Sequence, residues 1–257
     1  VSGETLGLTG SGVLDSPAAG IRTIVNTNTL AISDGSGIAS NYTLTNGTLT
    51  MTIVPRSTTV SGTKTYDGTT NVASSNLTSF SNLAGSDTLS LSGTGTISSA
   101  DVGTGKTVNT SGLTIDNSSG VGTNYTLSSA TVNVTERVIG LSGVRAFDGT
   151  NNASSADLSI SNLVSGENLT LSGSGTVPNA AVEMNKEIPL GSLSVSDGSG
   201  GKSSNYTLTG GSHTLDISQL SVNITGSRQY DGTKTVNSSD LNLTNLVSGE
   251  TVSLSGA

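Results

Sequence analysis

The sequence predicts an all-β fold of tandem small β-sandwich modules, each of about 82 residues, forming an extended rod or filament, and three observations lead there. The first is a repeat. Tyr66-Asp67-Gly68-Thr69 returns as Phe147-Asp148-Gly149-Thr150 and as Tyr230-Asp231-Gly232-Thr233, at spacings of 81 and 83. Asn41-Tyr42-Thr43-Leu44 returns as Asn124-Tyr125-Thr126-Leu127 and Asn205-Tyr206-Thr207-Leu208, at spacings of 83 and 81. A third marker, Gly-polar-Thr/Asn-apolar, occurs at Gly3-Glu4-Thr5-Leu6, Gly166-Glu167-Asn168-Leu169 and Gly249-Glu250-Thr251-Val252, and with one inserted residue at Gly85-Ser86-Asp87-Thr88-Leu89. Three independent markers sharing one period exclude coincidence. The second observation is apolar alternation at period two, and the third is the absence of any sustained helical period with caps. Six or seven short strands fit in such a unit, which is far longer than one coil of a β-solenoid.

Each segment follows from this phase. Residues 1–55 read as the back half of a module, in which Tyr42 and Leu44 lead through Asn46-Gly47 to Leu49, Met51 and Ile53. Asn-Gly between alternating apolar residues is a strong hairpin signal, because a type I′ turn needs positive φ at both central positions. Residues 56–136 read as a whole module, with Tyr125 and Leu127 leading through a short polar turn to Val132 and Val134. Residues 137–219 form the next module, with Gly210-Gly211 as its equivalent hairpin turn. Residues 220–257 read as the front half of another, and Val247-Ser248-Gly249-Glu250-Thr251 repeats Val1-Ser2-Gly3-Glu4-Thr5. Tyr66, Phe147 and Tyr230 are expected in equivalent, largely buried positions, as are Tyr42, Tyr125 and Tyr206. A half-sandwich exposes an apolar face and unpaired strand edges. The front half is therefore expected to be completed by the back half of a following copy. A covalent array is the expectation, since the terminal residues resemble no natural start or stop, with noncovalent strand donation as the other route.

Composition narrows the function. One His and no Cys among 257 residues remove zinc fingers, iron-sulfur sites, Cys/His nucleophilic centres and disulfide scaffolds. A net charge of −8 with only ten Lys plus Arg argues against nucleic-acid binding. Ser and Thr occupy 84 positions, Gly 34 and Asn 22, a linker-like bias, yet Leu, Ile, Val and Phe total 61, enough for a folded chain. No run of 18 apolar residues exists, so no membrane insertion is expected in this segment.

At its markers the sequence resembles the YDG-type repeat of large secreted bacterial surface proteins, many with filamentous-haemagglutinin-like secretion regions. The matching residues are Thr65-Tyr66-Asp67-Gly68-Thr69, Gly85, Thr88-Leu89, Val102-Gly103-Thr104-Gly105-Lys106-Thr107-Val108, Gly112-Leu113 and Asn124-Tyr125-Thr126-Leu127. The second unit departs at Phe147 and at Glu183-Met184-Asn185-Lys186. The resemblance implies an extracellular adhesin or matrix array on a bacterial surface. Its expected partners are neighbouring copies, head to tail or bundled laterally, with surface glycans as a further class. A glycan- or mucin-binding module is the alternative function, and no enzymatic role is expected.

Candidate sites are few. The structural markers Tyr66, Asp67, Gly68, Phe147, Asp148, Gly149, Tyr230, Asp231 and Gly232 read as a tight turn: Asp accepts backbone N–H bonds, Gly supplies positive φ, and the ring packs into the module end. A carbohydrate platform is the functional alternative. Asp34, Asp116 and Asp197 fall in one loop of three copies and are the calcium candidates. Each loop offers a single carboxylate where calcium usually takes two or more, so no metal or cofactor is expected and a turn is. Lys106, Lys186 and Arg22 share one strand position. An isopeptide donor would need Lys in all three, so a solvated or ion-paired residue is expected. His213 has no counterpart in the other copies and no catalytic or metal role is expected of it.

Overall fold

A computed structural model describes residues 2–45 and 47–254. Regular structure consists of β-strands and single-turn 3-10 segments, with no α-helix among the described residues. The chain packs as two compact units, residues 1–64 with 69–134, and residues 65–68 with 135–257.

The first unit contains a complete module. Its four-stranded sheet runs in the order Gly103–Val108, Tyr125–Thr135, Arg56–Thr65 and Leu77–Ser81, and its three-stranded sheet in the order Leu113–Asn117, Leu89–Thr96 and Asn71–Ala73. Alternation selects the buried face: in Arg56–Thr65 the inward residues are Thr58, Val60 and Lys64, and in Tyr125–Thr135 they are Tyr125, Ala130, Val132 and Val134. Tyr125–Thr135 is one unbroken strand, so the turn expected after Leu127 does not form. Ser128-Ser129 lacks a residue suited to positive φ, and the Ser128 hydroxyl instead donates to the Thr58 carbonyl at 2.9 Å.

In the second unit the module repeats this plan, with a four-stranded sheet in the order Leu158–Ser161, Gly140–Ala146, His213–Ser218 and Glu183–Glu187. Gly140–Ala146 and His213–Ser218 are parallel neighbours, registered from Leu141 opposite His213 to Ala146 opposite Ser218. First and last strands of a repeat therefore lie side by side at the sheet centre, and neither half of a repeat can close the sheet alone. The expected Gly210-Gly211 turn is replaced by Thr209-Gly210: the Gly211 N–H donates to the Leu208 carbonyl at 3.0 Å and Gly210 takes φ 81°. Positive φ at the second central position alone is the type II pattern. Asn46 of the expected Asn46-Gly47 turn lies outside the described residues, as does Val1.

Close strand approach fixes one glycine in each copy. A Cβ on Gly62 would stand 1.7 Å from the Asn76 carbonyl oxygen, and one on Gly143 would stand 1.9 Å from that of Asp157. Only hydrogen fits there.

The remaining segments, expected as half-modules, carry fewer strands. Residues 2–55 carry Leu6–Thr9 paired with Ala31–Asp34, and a sheet of Val13–Leu14, Gly20–Asn26 and Thr50–Ile53. Residues 220–254 carry only Asn223–Gly226 paired with Leu241–Thr244. Apolar residues on both pieces are exposed, among them Met51, Val54, Ile224 and Val236, whereas Leu215 and Ile217 in the complete module are fully buried.

Candidate functional site

The aromatic-Asp-Gly-Thr turn is built by its own short-range bonds. Asp148 Oδ1 accepts the Thr150 N–H at 2.8 Å and its hydroxyl at 3.0 Å; Asp231 Oδ1 accepts the same groups of Thr233, both at 2.9 Å. Gly68, Gly149 and Gly232 take φ of 76°, 78° and 77°. A cation two residues before the ring clasps the turn from the other side. Lys64 Nζ donates to the Thr69 carbonyl at 2.8 Å, Arg145 Nη2 to the Thr150 carbonyl at 2.6 Å, and Arg228 Nη2 to the Thr233 carbonyl at 2.7 Å. Arg145 pairs also with Asp148, and Arg228 with Asp231. This cation was not singled out among the sequence markers, although Gly-x-Lys/Arg-x-Tyr/Phe-Asp-Gly-Thr stands at 62–69, 143–150 and 226–233. The Asp231 carboxyl is held below the usual range by the Thr233 N–H and hydroxyl. Burial pushes Asp148 upward, but the Thr150 N–H and the Arg145 guanidinium outweigh it and its net shift is also down.

The ring of one copy is received by the next. Tyr66 packs within the second unit, only 5% exposed, edge-on to Tyr206 with ring centroids 5.4 Å apart. Its hydroxyl donates to Glu167 Oε1 at 2.5 Å, Tyr206 donates to Oε2 of the same carboxylate at 2.8 Å, and the Val164 N–H donates to the Tyr206 oxygen at 3.1 Å. The Tyr66 N–H donates to the Thr135 carbonyl at 2.9 Å, and a Cβ on Gly68 would come within 2.7 Å of Val164 Cγ1. Burial raises the Tyr66 phenol far above its ordinary value, and the Glu167 carboxylate adds to the shift. All three markers thus converge, and the ring packs into the following copy rather than the end of its own.

Phe147 repeats the docking in part. Its N–H donates to the Ser218 carbonyl at 2.9 Å, and a Cβ on Gly149 would meet Val247 Cγ1 at 2.8 Å. Phe147 is half-buried and lines one cavity with Leu246, Val247 and Glu250. Tyr230 departs from the expectation of burial: it is 97% exposed, with neither a Glu nor a Tyr ring against it among the described residues.

The acid-tyrosine pair is present at the other copies. Tyr125 donates to Asp87 Oδ2 at 2.5 Å and accepts the Ala84 N–H at 3.0 Å; Tyr42 donates to Glu4. Tyr125 is buried and Tyr42 half-buried. A cavity of about 220 Å³ lies beside the Asp87–Tyr125 pair, lined also by Pro17, Val54, Arg56 and Ala84. Asn82 positions Arg56 by accepting its Nη2 at 2.9 Å, as Asn162 positions Arg137 at 2.7 Å.

The other sequence candidates serve the fold. Asp34 Oδ1 accepts the Ala39 N–H at 2.6 Å and Asp197 Oδ1 the Ser203 N–H and hydroxyl, both at 2.7 Å. In the middle copy the same bond is made by Asn117, to the Gly122 N–H at 2.7 Å. Register agrees, with Leu6 opposite Asp34, Leu89 opposite Asn117 and Leu169 opposite Asp197, so Asp116 is not the counterpart it was expected to be. An amide in that place means the loop needs an acceptor, not a charge. Among the described residues no group of three or more His, Cys, Asp or Glu could hold a metal. Lys106 donates to the Ser99 carbonyl at 3.1 Å and Arg22 to those of Ala18 and Ala19, each at 2.6 Å. Lys186 is buried and donates to Asn179 Oδ1 at 2.7 Å and Glu183 Oε2 at 2.9 Å. The shared job is to tie the preceding loop to the strand. His213 is buried with Nε2 2.9 Å from the Leu208 carbonyl, bracing the turn.

No curated protein and no solved structure matches this chain. The family model of the YDG domain matches twice, over residues 47–132 and 135–214, together more than half of the sequence. The chain, with its recurring ring, turn and acid-tyrosine pair, therefore belongs to the YDG domain family.

Proposed function

We propose that the chain is part of a structural and adhesive extracellular protein whose tandem modules build a stalk, fibre or matrix filament on a bacterial surface. The observation that carries this reading is the seating of Tyr66 on Tyr206 and Glu167, by which the turn of one copy fills a place in the next, with Phe147 set the same way. Repeats that bury their ends in their neighbours gain length without a large single core. Hydroxyl-rich strand faces of low charge suit lateral association. The glycan-binding alternative needs a platform of exposed rings, and Tyr66, Tyr125 and Tyr206 are buried, which leaves Tyr230 as a single fully exposed ring. The proposal assigns no reaction to the chain.

Two measurements test it. Small-angle scattering should give a radius of gyration well above the roughly 18 Å of a globular chain this long; a value near 18 Å defeats the stalk. Antibody labelling of intact source cells should find the repeats outside, and labelling only after lysis defeats the surface assignment.

A further inference from the structure

We infer that the complete module is a force-bearing clamp, in which tension along the chain loads its first and last strands in shear, so that their ladder resists as one unit. The inference deepens the stalk reading and rests on it only for the source of the tension.

Direction decides how a β-ladder yields. Gly140–Ala146 and His213–Ser218 run parallel, so the start of one lies beside the start of the other and the two ends also lie together. The chain enters this module at the start of the first strand and leaves it at the end of the last. Those two points stand at opposite ends of the ladder. Pulling on them slides the strands lengthwise past each other, and the six registered pairs, over about 17 Å of strand, carry the load together. Pulling across the ladder would instead open it pair by pair, each bond meeting the whole load in turn.

The surroundings keep the pair from peeling. Leu158–Ser161 covers the outer edge of the first strand and Glu183–Glu187 that of the last, so neither is an edge strand. Leu141, Leu215 and Ile217 are buried on the inner face of the pair. Both ends are latched. At the entry Arg137–Val138 lies parallel to Tyr206–Thr207, the Ile139 N–H donates to the Thr207 carbonyl at 2.9 Å, and Arg137 Nε donates to the Asn162 carbonyl at 2.6 Å. At the exit the Phe147 N–H donates to the Ser218 carbonyl at 2.9 Å, and the Ser218 hydroxyl donates to the Arg145 carbonyl at 3.2 Å. In the first unit Arg56–Thr65 and Tyr125–Thr135 are the corresponding central neighbours.

Single-molecule pulling on the 257-residue chain tests the inference. The sequence has no Cys, so a pair of introduced cysteines carrying optical-tweezer handles fixes the direction of pull. Glu136→Cys with Gln219→Cys pulls along the ladder, and Ser142→Cys with Ser212→Cys pulls it open from one end; all four residues are exposed. Thermal melts should show the two variants equally stable. Opening of the module between the first pair of handles should release at most about 270–300 Å of chain, which identifies the event. At one loading rate that event is expected at a force at least about twofold above rupture from the second pair, because forced unfolding follows the barrier along the pull and six pairs share the load in one direction only. Ser142→Cys with Gln219→Cys, a second pair along the ladder, should agree with the first. Equal forces in the two directions, or a lower force along the ladder, overturn the clamp. The outcomes are separable from the stalk reading: equal forces with labelling on intact cells would sink this inference alone, and a strong clamp labelled only after lysis would sink the stalk alone.

Discussion

Tyr66 shows how a single hydroxyl and its ring divide one task. The ring fills a place against Tyr206, and the hydroxyl shares the Glu167 carboxylate with it. Phe147 manages without the hydroxyl, so the ring should dominate the energy. Tyr66→Phe is expected to cost about 1.5–3 kcal/mol, the scale of a bond to a charged acceptor, and Tyr66→Ala more, about 3–5 kcal/mol, the scale of an emptied aromatic site; urea melts of the second unit compare them. The raised phenol sets the sign at high pH. Its contribution is whole below the unfolded value near 10 and is lost as pH rises, because a phenolate would face Glu167 without water. Tyr66→Phe should flatten the alkaline fall in stability. At Lys186 the expected outcome is an intact mass equal to that of the sequence; a deficit of one ammonia would mean that Lys186 has joined Asn179.

At the scale of an element, the turn is prepared by residues on both sides of it. Gly143 lets the strand approach Asp157, Arg145 clasps Thr150 and Asp148, and Gly149 supplies the left-handed step. Gly143→Ala should cost about 1–3 kcal/mol through forced strand separation, against within about 0.5 kcal/mol for the exposed neighbour Ser142→Ala. Thermal melts of the two variants decide. Acid should loosen the turns together. Asp148, Asp197 and Asp231 all have lowered pKa values, so the stability they supply is present above the unfolded value near 3.9 and is lost as pH falls through their folded values. The fall in melting temperature between about pH 5 and pH 2 should shrink in Asp148→Asn. Asp197→Asn should retain its loop at neutral pH, because Asn117 already does that work.

For the whole molecule, the decisive feature is that the first and last strands of a repeat are parallel partners at the centre of one sheet. Met51 and Ile224, on the segments that flank the complete sheets, are exposed, while Leu215 and Ile217 within one are buried. Re-phasing the chain to begin at Arg56 and end at Ser218 should leave no half-module. That version is expected to bind less of an apolar dye than the 257-residue chain, and equal dye binding would count against the half-module account.

The sequence alone determined the all-β class, the period, the turn chemistry of Asp148 and Asp231, and the alternation of apolar residues along the strands. These depend on residues near in the chain or on alternation at period two, and both can be read directly. It placed a turn after Leu127 and aligned Asp116 with Asp34 and Asp197, and both were wrong because strand continuity and register depend on the partner strand, which has no local mark. It placed the ring of Tyr66 in its own copy and buried Tyr230 by analogy. Only the tertiary structure decided otherwise, since Glu167 and Tyr206 lie 101 and 140 residues beyond Tyr66, and a seat assembled from such distant residues exists only once the strands have paired.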